Sequence, residues 1–91
     1  MEILYADEFV KQFRRLPKAM QRRALKQELI FKENPIHPSL NTEKLSPHIK
    51  QLWSIRVDRK YRIIFRYHSN SHVYFLAIGA HDWIYKYTNR L

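Results

Sequence analysis

The chain has 91 residues and no cysteine, so a single domain over 1–91 is expected, without disulfides or zinc–thiolate sites and suited to a reducing compartment. Seventeen Lys and Arg against eight Asp and Glu give a formal charge of +9, a sign that selects nucleic acid, anionic lipid or an acidic protein as partner. An apolar fraction of 45% with 14% aromatic residues argues against disorder, and MEILYADEF has neither the basic leader of a signal peptide nor a run of membrane-spanning length, which predicts a cytoplasmic chain without a membrane partner.

Residues 2–6, Glu-Ile-Leu-Tyr-Ala, read as a short strand. Asp7 and Glu8 stand where a helix N-terminus favours a cap and negative charge, and Phe9, Phe13 and Leu16 recur at helical spacing, so a first helix is expected over 8–15. Pro17 suits the first position of a second helix, expected from about Lys18 to Glu33 and stopped by Asn34-Pro35. On it Met20, Ala24 and Phe31 share a face interrupted by Gln27, while Leu25 and Leu29 lie almost opposite. A helix apolar on two sides is covered on both, by its own domain or by a partner chain. Lys18, Arg22, Arg23, Lys26 and Lys32 fill the remainder.

Residues 34–51 contain Pro35, Pro38 and Pro47 and form a connection longer than the usual handful, of the kind that tends to be functional or mobile. Beyond it Trp53, Ile55 and Val57 alternate with Leu52, Ser54 and Arg56, and Tyr61, Ile63, Phe65 and Tyr67 alternate with Arg62, Ile64 and Arg66. A period of two predicts one core face and one face carrying arginines. Asp58-Arg59-Lys60 and His68 to Ser71 are compact enough for hairpin turns, and Val73 to Gly79 is apolar on both faces, as an interior strand would be. The pattern predicts an α+β fold, two N-terminal helices packed on a twisted, mainly antiparallel sheet of about four strands.

Chemistry-bearing residues gather in the second half. Arg56, Arg62 and Arg66 are expected on one sheet face, where neighbouring strands are about 4.8 Å apart and forked guanidiniums can converge on phosphate. The plainer alternative is a sheet face that arginine keeps soluble. His81 follows the only glycine, Gly79, by two residues and places an imidazole able to exchange protons near neutrality at the sheet end. Tyr85 is placed to stack on a base or orient a phosphate, whereas Trp83 reads as packing. Glu43 and Lys44, in the long connection, offer a proton acceptor and a phosphate-holding ammonium. His37, His48, His68 and His72 lack metal-ligand spacing, and no phosphate-cradling glycine loop or HExxH motif occurs, so neither metal nor cofactor is expected.

The order strand, two helices, long loop, three strands and terminal His-x-x-x-Tyr resembles the RelE/ParE toxin superfamily of bacterial type II toxin–antitoxin systems. The most specific part is LWSIRVDRKYRIIF followed by AIGAHDWIY. The resemblance implies a ribosome-dependent, metal-independent endoribonuclease that cuts messenger RNA by attack of a ribose 2′-OH, leaving a 2′,3′-cyclic phosphate and a 5′-OH. It further implies Arg62 on the scissile phosphate, Arg56 beside it, His81 as general acid, Tyr85 on the substrate and Glu43 as general base, with Lys44 or Lys50 able to stand in for Glu43. Arg66, Lys44, Lys50, Arg22, Arg23 and Lys26 would grip RNA backbone, including that of the ribosome, and a cognate antitoxin would cover the basic surface and the Leu25/Leu29 face. The ParE-like branch, which inhibits DNA gyrase without cleaving RNA, and an inactive RNA-binding module of the same fold are the alternatives.

Overall fold

Helical spacing and strand alternation give a chain that runs β1 (Glu2–Tyr5), α1 (Asp7–Arg15), α2 (Lys18–Glu33), a single 3-10 turn (Pro38–Leu40), β2 (Glu43–Lys44), β3 (Leu52–Arg56), β4 (Tyr61–Tyr67), β5 (His72–Ala80) and α3 (His81–Thr88). The computed structural model describes residues 1–45 and 52–88, with positions 85, 87 and 88 given by their backbone alone. The sheet has the order β1-β5-β4-β3-β2, with β1 parallel to β5 and the other neighbours antiparallel. It has five strands instead of about four, because Glu43 and Lys44 in the long connection pair with Ser54 and Trp53.

Local chemistry explains the helix ends. Ala6 is the N-cap of α1 and offers no side-chain cap, so the acidic pair Asp7 and Glu8 supplies negative charge to the first turn instead. Leu16, forced out of helical geometry by the proline after it, ends α1 with ψ 148°. Pro17 is the extended N-cap of α2, with φ −55° and ψ 148°, and not its first helical residue. Asp58 closes the β3–β4 turn by accepting from the backbone N–H groups of Lys60 and Tyr61 at 2.8 and 2.7 Å.

The first core lies between α1, α2 and one sheet face. Phe31 of α2 meets Phe65 at 4.9 Å and Phe75 at 5.5 Å between ring centroids, and Phe9 of α1 meets Phe75 at 5.5 Å. Gln27 interrupts this apolar stripe for a reason. Its buried amide donates to the carbonyls of Ser39 at 3.1 Å and Arg56 at 2.7 Å, tying the 3-10 turn and β3 to α2.

The opposite face is not the bare arginine surface expected. Leu52, Ile64, Ala77 and Ile84 form a second apolar cluster there, with Trp83 packed against it. α3 provides its cover, a helix the sequence pattern did not announce. A bulge in β5 makes this possible: Phe65 pairs with Phe75 but Ile64 pairs with Ala77, which leaves Leu76 as the extra residue. The slip turns Ala77 and Gly79 toward α3 and Ile78 toward the first core. Gly79 is needed at that point, because a Cβ there would stand 2.5 Å from Cε3 of Trp83. Gly79→Ala is therefore expected to displace α3 and cost about 1–3 kcal/mol, read as a lowered denaturation midpoint in urea.

Candidate functional site

Strand register sorts the candidate residues between the faces. Arg56 sits opposite Arg62, and Arg66 opposite Leu52, so all three arginines belong to the α3 face. Glu43 pairs with Ser54 and joins that face, whereas Lys44 pairs with Trp53 and is sent to the other. Lys44 therefore does not share the face of Glu43. Arg66 lies four residues along β4 from Arg62, roughly 13 Å in an extended strand, with Ile64 between them on the same face.

Arg62 is buried, with 6% of its surface exposed, although Arg56 and Arg66 on the same face are exposed. A buried guanidinium is tolerable only when its donors are met. Its Nε donates to Ser54 Oγ at 2.9 Å and its Nη2 to the Asn41 carbonyl at 2.9 Å, with Glu43 Oε1 3.8 Å from Nη2. Arg56 directly across remains exposed. Like charges facing each other across strands repel, and an anion lying over both relieves this.

His81 is the first residue of α3, and its N–H donates to the Lys60 carbonyl at 2.6 Å. That bond pins the end of β5 to the β3–β4 turn, two residues past Gly79, the cross-strand partner of Arg62. The exposed imidazole borders a hollow lined by Arg59, Lys60, Ala80 and Asp82, with its Nδ1 3.9 Å from Asp82 Oδ1. Arg59 and Lys60 were not among the candidates, although a short hairpin turn beside the end of the next antiparallel strand was a legible signal. Tyr85 lies on α3 with its side chain outside the description, and Lys50 lies outside the described residues. Arg22, Arg23 and Lys26 are exposed on α2, where Arg23 pairs with Asp58 at 3.3 Å.

A second surface lies between the N-terminal helices. Tyr5, Phe9, Val10, Phe13, Arg14, Leu25 and Glu28 line an apolar groove, and Leu25 and Leu29 are 49% and 63% exposed, as an uncovered second helix face requires. Glu28 is buried, and among the described residues its Oε1 has no hydrogen-bond partner. Burial raises its carboxyl above the ordinary value of 4.5, against a smaller opposing pull from Lys32.

A sequence model of the RelE-like toxin of the type II toxin–antitoxin system HigB matches residues 6–81. No curated protein matches the chain in sequence. Among solved structures the chain is similar to the YoeB/ParE toxin from Agrobacterium tumefaciens, at 16% identity over 89% of this chain and 99% of that one, with a TM-score of 0.75. The RelE–RelB complex from Pyrococcus horikoshii matches at 23% identity over 87% of this chain and 92% of the other, TM-score 0.71. The DinJ–YafQ complex from E. coli matches at 18% identity over 92% and 97%, TM-score 0.69. Likeness at these identities establishes the shared fold.

The Glu28 carboxyl carries its own test. Its raised value means the folded chain binds that proton more tightly than the unfolded chain, so ionised Glu28 costs stability and the cost is relieved as pH falls toward 4.5. Glu28→Met should raise the unfolding midpoint at neutral pH and remove that part of the pH slope, measured by denaturation across this range.

Proposed function

Because this chain belongs to the RelE-like toxins of type II toxin–antitoxin systems, in the HigB-like group, we propose that it arrests growth by cutting messenger RNA on the ribosome. The observation that carries this reading is the shared face of Glu43, Arg56 and Arg62, with His81 beginning the helix that follows the strand beside them.

In the proposed reaction the RNA phosphate lies against Arg62 and the exposed Arg56. Glu43 takes the proton of the 2′-OH as that oxygen bonds to phosphorus. The phosphorus–O5′ bond breaks, and His81 gives its proton to O5′, leaving a 2′,3′-cyclic phosphate and a 5′-OH. The guanidiniums stabilise charge gathering on the equatorial oxygens, an electrostatic effect that is commonly the largest single contribution to such a step. Arg66, Arg22, Arg23 and Lys26 add sequence-blind contacts to RNA backbone, which weaken as salt rises. Tyr85 positions the nucleotide. This reading places the protein in the cytoplasm with the ribosomes; among the described residues no helix is long and apolar enough to cross a membrane.

A cognate antitoxin is the protein partner in this reading, as RelB is for the RelE and DinJ for the YafQ named above. The groove between α1 and α2, with Leu25 and Leu29 beside it, suits an amphipathic segment of that partner.

His81→Ala and Arg62→Ala, each with native circular dichroism, should slow message cleavage on translating ribosomes by about 100-fold or more and relieve growth arrest. If both variants cut like the wild type the assigned residues are wrong. Stalled gyrase with intact message would replace the ribonuclease reading altogether.

A further inference from the structure

We propose that Ser54 and the main-chain carbonyl of Asn41 are positioning groups for the phosphate-binding guanidinium, a statement that rests on the reading of Arg62 given above. Ser54 is fully buried in an interior strand between Trp53 and Ile55, a place where an apolar residue would otherwise be favoured. Its hydroxyl accepts from Arg62 Nε at 2.9 Å. The Asn41 carbonyl takes a hydrogen from Nη2 at the same distance. Two bonds to different nitrogens of one planar fork fix its tilt as well as its place.

Asn41 reaches this position through strain. Among the described residues it is the only non-glycine residue with positive φ, at φ 44° and ψ 52°, and its own N–H ends the 3-10 turn by bonding the Pro38 carbonyl at 3.2 Å. Asparagine tolerates the left-handed conformation better than other side-chain-bearing residues, and β-branched ones hardly adopt it. The turn that leads into β2 thus delivers a carbonyl to Arg62 and, two residues later, the carboxylate of Glu43.

The arrangement also keeps base and cation apart. Glu43 stands 3.8 Å from Nη2, beyond hydrogen-bond distance, and its side chain is 44% exposed. Because the Asn41 carbonyl meets that nitrogen, the carboxylate is not locked into a closed ion pair and keeps lone pairs for the 2′-OH. Without the carbonyl, the guanidinium would swing onto Glu43 and engage the group that must accept the proton.

Single-turnover cleavage of message on programmed ribosomes tests this, with ribosome binding measured alongside. Ser54→Ala should lower the cleavage rate at saturating ribosome by about 10- to 100-fold, a loss typical of a misplaced reacting group, while the binding constant changes less than about two-fold. Ser54→Thr, which keeps the hydroxyl, should recover most of the rate. In the Arg62→Ala background the Ser54→Ala change should have no further effect, since there is no longer a guanidinium to hold. Asn41→Val is the independent variant, because a β-branched residue disfavours the left-handed backbone that aims this carbonyl; with native circular dichroism verified, it should show the same loss of rate with binding retained.

A wild-type rate for both Ser54→Ala and Asn41→Val, with Arg62→Ala impaired, overturns the positioning role and leaves the assignment of Arg62 standing. An equal loss from Ser54→Ala with and without Arg62 also overturns it, because the hydroxyl then acts through packing. If Arg62→Ala itself cuts normally, the reading of Arg62 fails and the positioning role fails with it. Should Ser54→Ala not fold, the Asn41→Val and Ser54→Thr pair decides.

Discussion

A guanidinium buried in the face of a small sheet is the constraint around which this molecule is arranged. An isolated charge in that position would be very costly, so acceptors are brought to Arg62 from other segments. Ser54 interrupts an apolar strand to accept from Nε, and Asn41 adopts a left-handed backbone to accept from Nη2. β2, only Glu43–Lys44, brings a carboxylate near the same nitrogen. Gln27 then braces the 3-10 turn and β3 against α2 through two carbonyls, holding in place the segments that supply these acceptors. Polar groups that look like flaws in apolar stripes are in each case answering a buried polar demand.

The two faces of the sheet divide the labour. One is sealed by α1 and α2 around Phe31, Phe65 and Phe75 and gives the domain its rigidity. The other is only partly covered, by α3 over Leu52, Ile64 and Ala77, and the uncovered part keeps Arg56, Arg66 and Glu43 open to solvent to different extents. The bulge at Leu76 marks the boundary, because it turns Gly79 under Trp83 and lets α3 start at His81 against the β3–β4 turn. A helix begun at the rim of the sheet thus holds the His81 imidazole beside the β3–β4 turn without relying on a long loop.

Much of this was legible in the residues. The alternation through Trp53, Ile55, Arg56, Arg62 and Arg66 predicted strands in a common register with the arginines on one face, and the pairing of Arg56 with Arg62 agrees. α2 runs from Lys18 to Glu33 as helical periodicity and Asn34-Pro35 require, and Leu25 and Leu29 are exposed. α3 was missed because its eight residues follow directly on a strand, without a proline or a loop to punctuate the change. β2 was missed because a two-residue strand has no period to detect. The same two residues were read as proton acceptor and phosphate-holding cation of one loop, and pairing with Ser54 and Trp53 sent them to opposite faces.

What the amino-acid order determined by itself was the run of β1, α1, α2, β3, β4 and β5, the excess of positive charge and the clustering of arginines, because these follow from local periodicity and composition. Only the folded chain decided that Arg62 is interior while Arg56 is not, that a backbone carbonyl at Asn41 is one of its partners, and that His81 begins a helix. Burial depends on which distant segments come to lie over a residue, and a carbonyl group is common to every residue and so leaves no mark in the sequence. Such features are created by long-range pairing, and they come into being only when β2, β3, β4 and β5 meet.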